Sequence, residues 1–325
     1  MLLYILRRCL TAVSVIVVTL IASFMLFFVA PTDPVGVICG LRCTPDRIAD
    51  INASLGLDKP VWEQLLLFLQ GIFVGREFGS AGAIIECAAP CLGYSYTLGQ
   101  PVTSLLAQAV PVTVSVIGGA AVVYLIVGVL TGSIAGRRRG TPADRLVVGA
   151  TLVTNSMPYF VVALMVALYA TFLPTSQYTP LTQNPFMWAS GLLAAWLTLG
   201  FYNAAQYTRY SRASMIESLG EDYIRTARAK GISERRVVYR HGLRSSLTPV
   251  ASVFGVDLAA QMAGAIFTES IFGLNGLGVL TIRAFNQYDL PVLMGTVLVG
   301  ATVLVVMNLV VDILYTFLDP RVRLS

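Results

Sequence analysis

Polar side chains that could handle an ion or a small solute stand within long apolar stretches of this sequence. Asp257 and Gln261 are four residues apart, which places them on one face of a helix. Acidic residues inside apolar spans are costly to desolvate and often functional. Further amides that could face the same interior are Asn155, Asn203 and Gln206. These side chains could line a pathway, and structural hydrogen bonding between neighbouring helices is the alternative.

The sequence offers little that could carry out a reaction. It has no nucleophile elbow, no set of metal ligands and no pair of catalytic carboxylates, and its single histidine is His241. Asp312 lies near the end of the last apolar stretch, where we expect a structural role. We therefore expect no catalytic residue, no bound cofactor and no metal in this chain.

Cysteines could form disulfides in one part of the chain. Four of the five lie between residues 31 and 110: Cys39, Cys43, Cys87 and Cys91. They form no CxxC pair, so a zinc site is not indicated. If this segment faces an oxidising compartment, Cys39–Cys43 and Cys87–Cys91 are the simplest of three possible connectivities. Free thiols are the alternative.

Positive charge is concentrated in residues 222–245, DYIRTARAKGISERRVVYRHGLRS. This stretch holds seven of the 22 Lys and Arg residues and the only histidine. The simpler interpretation is a solvated basic loop that touches anionic lipid headgroups. That loop would not need the small residues Ala227, Ala229 and Gly231, which permit the close approach of another surface. The stretch is therefore interpreted as a docking element for a cytoplasmic partner.

Helical periodicity predicts the shape of this basic stretch. Apolar side chains recur every four residues along a predicted helix over Met215–Lys230: Met215, Leu219, Tyr223 and Ala227. Gly231 is predicted to end this helix, because glycine readily takes the left-handed conformation found at helix C-termini. Ser233 then offers an N-cap for a second short helix, from Glu234 to about Leu243.

The surroundings of these groups are very apolar. The 325 residues are 56 % hydrophobic and 12 % charged, with a mean hydropathy of +0.75, whereas about 25 % of residues are charged in globular domains. The membrane is therefore the expected solvent. Basic residues alternate with apolar blocks and form no single face, so nucleic acid is not an expected partner.

About 20 apolar residues are needed to cross a bilayer as a helix. Six stretches meet this requirement: Leu10–Ala30, Pro111–Ala135, Leu146–Leu173, Trp188–Gln206, Leu247–Thr268 and Pro291–Leu318. With the N-terminus inside, the inner segments carry seventeen of the 22 Lys and Arg residues and the outer segments carry five. The prediction is an all-α integral membrane protein with six transmembrane helices and cytoplasmic N and C termini. The first stretch is too long for a signal peptide and is expected to remain as an anchor.

This orientation divides the chain into segments. The predicted segments are an N-terminal span (1–30), an extracytoplasmic segment with short helices (31–101), a core of five spans (102–318) and a cytoplasmic tail (319–325). The longest inner loop covers residues 207–246. In the outer segment, TPDRIADINASLGLDKP predicts a short helix ending at Gly56, and VWEQLLLFLQGIF predicts an interfacial or buried helix.

The basic stretch, extended to DYIRTARAKGISERRVVYRHGLRSSLTPV, resembles the cytoplasmic "EAA" loop of ATP-binding-cassette importer permeases, in the form typical of the dipeptide, oligopeptide and nickel subgroup. The similarity continues in LRRCLTAVSVIVV with APTDPV, LGLDKPVWEQ, SMPYF, ESIFGLNGLGVLTIRAFNQYDLPVLMG and NLVVDILYTFLDPRVRL. Each motif is short, but their order covers nearly the whole chain. Two departures are Asn275, where the family often has proline, and an apparent insertion at residues 81–96.

The resemblance implies a type I importer permease in the cytoplasmic membrane of a prokaryote. Its implied partners are a homologous second permease subunit, two cytoplasmic ATPases that bind ATP and Mg, and an external substrate-binding protein. Peptides are the expected substrate. A nickel or other small-solute importer is the alternative, and a secondary carrier driven by an ion gradient is a further one.

The same resemblance assigns a role to the basic stretch, residues 222–245, which is called the basic loop from here on. It would form coupling helices that sit in a cleft of the ATPase. The residues carried over to this role are Asp222, Tyr223, Ala227, Gly231, Arg240 and Leu243, with Arg225 where the general loop pattern has an acidic residue.

Overall fold

The computed structural model describes residues 2–29, 59–78, 85–95 and 97–318, together with the single positions 44, 45, 48 and 52. The described chain forms two compact units. The first contains the described parts of Leu2–Val112 and Asn275–Val306. The second contains Thr113–Leu274 and the described residues from Met307 onward.

Helices make up most of the described chain. In chain order they are α1 (Leu2–Phe24), a π-helical turn (Met25–Val29), α2 (Val61–Val74), α3 (Val102–Arg137), α4 (Pro142–Ser156), α5 (Tyr159–Tyr169), α6 (Pro185–Gly220), α7 (Asp222–Ala229), α8 (Glu234–Arg236), a π-helical segment (Val237–Gly242), α9 (Leu243–Gly264), α10 (Ile266–Ile271), α11 (Leu277–Asn286) and α12 (Leu290–Leu318). VWEQLLLFLQGIF lies in α2, as predicted.

Short strands are a difference from the all-α prediction. They form two antiparallel ladders: β1 (Arg76–Phe78) with β2 (Ile85–Cys87), and β3 (Tyr94–Ser95) with β4 (Gln100–Pro101). Two or three residues per strand are too few to leave an alternating pattern in the sequence.

Within the described residues, three helical stretches are individually long and apolar enough to cross a membrane: Arg7–Phe27, Val102–Arg137 and Leu290–Leu309. The helices α4 and α5 meet the same criterion only as a pair, bent by 94°. The expected span Trp188–Gln206 lies within the less apolar α6, and Leu247–Thr268 is interrupted at Ala265, between α9 and α10.

The prediction of one continuous helix over Leu146–Leu173 is wrong. Met157 has an extended backbone (φ −94°, ψ 132°), which ends α4. The cause is Pro158, because the proline ring disfavours helical geometry in the residue before it. Pro158 then precedes the first residue of α5.

The expected outer helix that ends at Gly56 falls largely outside the described residues. Within it, the backbone N–H of Ile48 donates to the Thr44 carbonyl at 3.0 Å, which is a helical i to i+4 contact.

Aromatic and aliphatic side chains from distant segments form the core of the first unit. Phe24 of α1 and Phe68 of α2 have ring centroids 6.1 Å apart, and Met294 of α12 is fully buried beside them. At the start of α3, the fully buried Val102 packs in a cluster with Val292.

A buried carboxylate in the first unit ties β3 to the turn before α12. Ser95 Oγ donates to Asp289 Oδ2 at 2.5 Å, and the Val292 N–H donates to Asp289 Oδ1 at 3.4 Å. Asp289 is 4 % exposed, and this burial raises the pKa of its carboxyl group. The hydrogen bonds oppose that rise without cancelling it.

The second unit depends on the close approach of α3 and α6. Three glycines of α3 lie against backbone atoms of α6, and we call them the glycine seam: Gly128, Gly132 and Gly136. A Cβ atom on Gly132 would lie 2.5 Å from the Thr208 carbonyl oxygen and 2.7 Å from Ser211 Cβ. Such spacing of small residues lets helix backbones pack in direct contact within lipid.

Charge pairing joins α4 to α6 in the same unit. Arg212 Nε and Nη2 donate to the two oxygens of Asp144 at 2.6 and 2.8 Å, and Asp144 is 3 % exposed. The Gly140 N–H donates to the same carboxylate at 2.9 Å. The bidentate geometry fixes the direction of both side chains.

Replacing a seam glycine should destabilise the helix pair. Gly132→Val places a side chain against the backbone of α6, so we expect the free energy of unfolding to fall by about 1–3 kcal/mol or more. Gly118→Val is the matched control on α3, because a Cβ at Gly118 would meet no atom within 4 Å. Denaturant titration of the purified chain in detergent measures both, and equal losses would contradict the role of the seam.

The Asp289 carboxyl should make stability depend on pH. Because its folded-state pKa is raised above the unfolded value of about 3.9, its stabilising contribution is full below that value and is lost as the pH rises through the folded pKa. Asp289→Asn keeps an acceptor for Ser95 and cannot ionise. The variant should therefore gain stability relative to the wild type between pH 4 and pH 7, roughly, in thermal unfolding.

Ser95→Ala provides the matching control for this pH effect. It removes a donor that favours the ionised carboxyl, so the loss of stability with rising pH should become steeper. Identical pH profiles of stability for the wild type and Asp289→Asn would show that the pKa of this carboxyl is the same in the folded and unfolded states.

Candidate functional site

The helix predicted over Met215–Lys230 is interrupted just before the basic stretch. Glu221 is extended (φ −67°, ψ 151°), so α6 ends at Gly220 and α7 starts at Asp222. The predicted helix over Met215–Lys230 is therefore two helices. Its four-residue periodicity ran across the break because Met215 and Ala227 are both buried, although they belong to different helices.

Gly231 ends α7 through a pair of backbone hydrogen bonds. The Ile232 N–H donates to the Ala227 carbonyl at 3.3 Å, and the Gly231 N–H donates to the Arg228 carbonyl at 2.9 Å. This is a Schellman arrangement, which requires a left-handed residue at the position of Gly231. Its φ of +73° meets that requirement, and the predicted helix end at Gly231 is confirmed within one turn.

A small hydrophobic core supports the turn from below. Ile224 and Val237 are fully buried and pack with Ala227, which is 8 % exposed, and with Ile232. Ala227 therefore packs inside this core and is not part of the free surface of the turn. A Cβ on Gly231 would meet no atom within 4 Å, so the free surface is at the glycine.

An ion pair bridges the two sides of the turn. Arg228 Nε and Nη2 donate to the Glu234 carboxylate at 3.1 and 2.9 Å. These bonds lower the pKa of Glu234 and raise the pKa of Arg228. Both side chains are about half exposed, so the pair orients the turn and contributes little free energy.

The segment after the turn runs further than predicted. Ser233 precedes α8 as expected, although its side chain makes no capping hydrogen bond. The second helix does not end at Leu243, because the π-helical segment leads directly into α9, which continues to Gly264. Ser218 Oγ of α6 donates to the Gly242 carbonyl at 3.0 Å and so anchors this segment.

The other predicted loop residues lie at the surface around the turn. Asp222 and Arg225 form an exposed pair with a 3.4 Å separation. Tyr223 is 43 % exposed, with its hydroxyl 3.0 Å from Ser218 Oγ, and Arg240 is exposed. Leu243, the first residue of α9, is partly buried.

The five predicted pathway residues do not form one cluster of hydrogen-bonded groups. Asn203 Nδ2 donates to the Leu199 carbonyl at 3.0 Å, and Gln206 Nε2 donates to Tyr210 Oη at 3.0 Å. Asn155 is exposed on α4. Each of these three amides is thus satisfied locally or faces outward.

Asp257 has a specific partner that the sequence did not suggest. Tyr207 Oη donates to Asp257 Oδ2 at 3.1 Å. The ring of Tyr207 stacks on Tyr124 with centroids 4.6 Å apart, and both tyrosines are fully buried. Gln261 Oε1 is buried on the same helix and has no hydrogen-bond partner among the described residues. A tyrosine in an apolar stretch of sequence gives no sign that it is more than a packing residue. Only the fold therefore shows the contact of Tyr207 with Asp257.

Cys87 and Cys91 form a disulfide, with Cα atoms 5.6 Å apart. Both residues are buried beside Phe78. Cys39 and Cys43 lie outside the described residues, and Cys9 is a free, partly buried thiol. Among the described residues, no group of three or more His, Cys, Asp and Glu side chains could hold a metal ion.

Comparison with known proteins identifies relatives over the full length. The family model described as "Binding-protein-dependent transport system inner membrane component" matches residues 128–324, and the model of its N-terminal part matches residues 1–117. A putative peptide transport system permease protein of Brucella abortus is 35 % identical over 98 % of both chains. The dipeptide transport system permease protein DppB of Escherichia coli is 33 % identical over 99 % of both chains.

A solved structure shares the fold over part of this chain. The MetNI methionine ABC transporter in inward-facing conformations matches with a TM-score of 0.53, covering 67 % of this chain and 97 % of that chain at 18 % identity. The family models together match nearly the whole of this chain. The chain therefore belongs to the family of binding-protein-dependent transport system inner membrane components.

Proposed function

We propose that this chain is the permease subunit of an ATP-driven importer that moves di- and oligopeptides across the cytoplasmic membrane of a prokaryote. The observation that carries the proposal is its full-length similarity, at 33 and 35 % identity, to chains named as dipeptide and peptide permeases. A nickel or other small-solute importer is the alternative within the same family.

The proposed topology has six spans with both termini in the cytoplasm. Seventeen of the 22 Lys and Arg residues then face the cytoplasm, in agreement with the positive-inside rule. In this topology the bent pair α4–α5 crosses as one broken span, and α6 and α9 cross despite their polar residues. Helices of this kind are tolerated in lipid when neighbouring helices satisfy their polar groups.

The proposed partners are a second, homologous permease, two ATPases that hold ATP and Mg, and an external substrate-binding protein. The turn at Gly231 is the proposed contact with the ATPase. Its free upper surface and its own small core suit a rigid element that docks into a cleft. Closure of the ATPases around ATP would move this element and shift the spans between two access states.

An ion-coupled secondary carrier would need a carboxylate that can bind and release an ion. Asp257 was the candidate for that role, and Tyr207 Oη donates a hydrogen bond to it. This contact supports a structural role for Asp257, because it engages the carboxylate with a fully buried neighbour. The ATP-driven importer is therefore the better-supported function.

Substitution at Gly231 should uncouple transport from ATP hydrolysis. Gly231→Leu adds a side chain to the free surface of the turn, so ATP-driven uptake should fall about tenfold. A tenfold change lies within the range that coupling between two sites typically produces. Basal ATPase activity and co-purification with the ATPases should remain. Both are measured on the complete complex in proteoliposomes.

Gly140→Leu is the matched control for this prediction. Gly140 also has a positive φ, of 81°, and also has open space where a Cβ would lie. Both variants thus carry the same backbone strain of about 1–2 kcal/mol, and only one lies in the basic loop. Equal losses of uptake in the two variants would rule out a specific role for Gly231.

The substrate assignment is tested with the complete complex and its binding protein in proteoliposomes. Labelled di- and oligopeptides should accumulate when ATP is enclosed with the ATPases and should not accumulate with an ion gradient alone. Accumulation of nickel and not of peptide would establish the alternative importer. Uptake by the chain without ATP or partners would replace the importer with a carrier.

A further inference from the structure

A cavity of about 790 Å³ lies in the second unit beside the basic loop. One part of its wall is apolar and comes from α3 and α9, where the lining side chains are Leu125, Val129, Leu247, Val250, Ala251 and Phe254. This wall alone would suit a hydrocarbon chain.

The remaining wall is cationic and rich in hydrogen-bond donors. It is formed by Arg240, His241 and Arg244, with the hydroxyl groups of Ser245 and Thr248 beside them. No Asp or Glu side chain lines the cavity, and none of the ion pairs among the described residues involves Arg240 or Arg244. The basic groups are therefore available to an external anion.

Tyr223 completes the wall in a defined orientation. Ser218 Oγ donates its single proton to the Gly242 carbonyl, so the Tyr223 hydroxyl 3.0 Å away donates to Ser218 Oγ. The proton of Tyr223 is thus engaged within the protein. The side chain presents its ring and an acceptor oxygen to the cavity, and the donors for an anion are those of residues 240–248.

We propose that this cavity binds an anionic phospholipid of the inner leaflet, with the phosphate at Arg240 and Arg244 and an acyl chain along the wall of α3 and α9. The ligand chemistry follows from the two-sided lining, because an anionic headgroup and a hydrocarbon chain match its two parts. Basic pockets between helices at the cytoplasmic side of a membrane bind such headgroups. The inference rests on the proposed membrane orientation and is independent of the peptide substrate.

Other occupants match the lining less well. A peptide with a free ammonium group would find no carboxylate in this cavity. A free phosphate compound would use the cationic part and leave the apolar wall in contact with water. A segment of a partner protein would need an acidic and apolar face, and it is one outcome of the test.

The experiment is a lipid titration of the complete, delipidated importer complex, followed by native mass spectrometry. Phosphatidylglycerol should form a retained adduct at a concentration about tenfold or more below that of phosphatidylcholine with the same acyl chains. Dihexanoyl phosphatidylglycerol should bind more weakly than the long-chain lipid, because it covers less of the apolar wall.

Two double variants of equal charge separate the cavity from general basicity. Arg240→Gln with Arg244→Gln should weaken phosphatidylglycerol retention about tenfold or more. Arg225→Gln with Arg235→Gln removes the same charge from the same loop outside the cavity. This double variant should leave retention within about twofold, since exposed charges that do not line the cavity contribute little to lipid binding. Matching size-exclusion profiles confirm that all variants are folded.

Several results would overturn the proposal. Equal retention of the two lipids, or equal effects of the two double variants, would remove the specific site. Displacement by glycerol phosphate at the same concentration as the lipid would assign the cavity to free anions. Retention by the isolated chain and not by the complex would show that a partner protein fills it. None of these lipid-binding measurements depends on transport. Failure of the proposed function would appear only in the uptake assay, so the two failures can be told apart.

Discussion

The direct contact of two helix backbones at the glycine seam is the constraint on which the second unit depends. Lipid offers no hydrophobic gain for pairing helices, so close packing must supply the attraction. Gly136 extends this contact to Met215, whose Cβ would lie 2.9 Å from a Cβ on the glycine. Met215 in turn packs near Gly242, and its Sδ lies 3.7 Å from Ser246 Oγ. The seam therefore fixes the position of the basic loop as well as that of α6.

This chain of contacts gives the turn at Gly231 a rigid base. Ile224 and Val237 hold α7 against the following segment, and the Schellman hydrogen bonds fix its end. Motion applied at the glycine would therefore pass into α6 and α9 rather than be absorbed within the loop. Rigid, packed elements of this kind can carry coupling between distant sites.

The sequence predicts the parts of the fold that depend on local chemistry. The helix end at Gly231, the three long apolar helices of the described chain and the basic loop follow from residue type and spacing. Pro158 in the sequence also indicates the end of a helix at Met157, but the apolar residues on both sides of it favoured one continuous helix. The Asp144–Arg212 pair and the contact of Tyr207 with Asp257 are 68 and 50 residues apart in the chain. Only the packing of α4, α6 and α9 brings those partners together.

The proposed topology places most of the arginines on the inner side of the membrane, as the positive-inside rule expects, yet these arginines have different physical roles. Arg212 is held by Asp144 in a bidentate pair, and Arg228 bridges the turn to Glu234. Arg240 and Arg244 face the cavity, and the ion pairs of the described chain do not include them. Topology alone would be satisfied by arginines in any of these environments. No acidic side chain among the described residues lines the cavity beside Arg240 and Arg244, so both guanidinium groups are open to a ligand there, which is why the anion site is inferred at this place and not at the ion-paired Arg228 of α7.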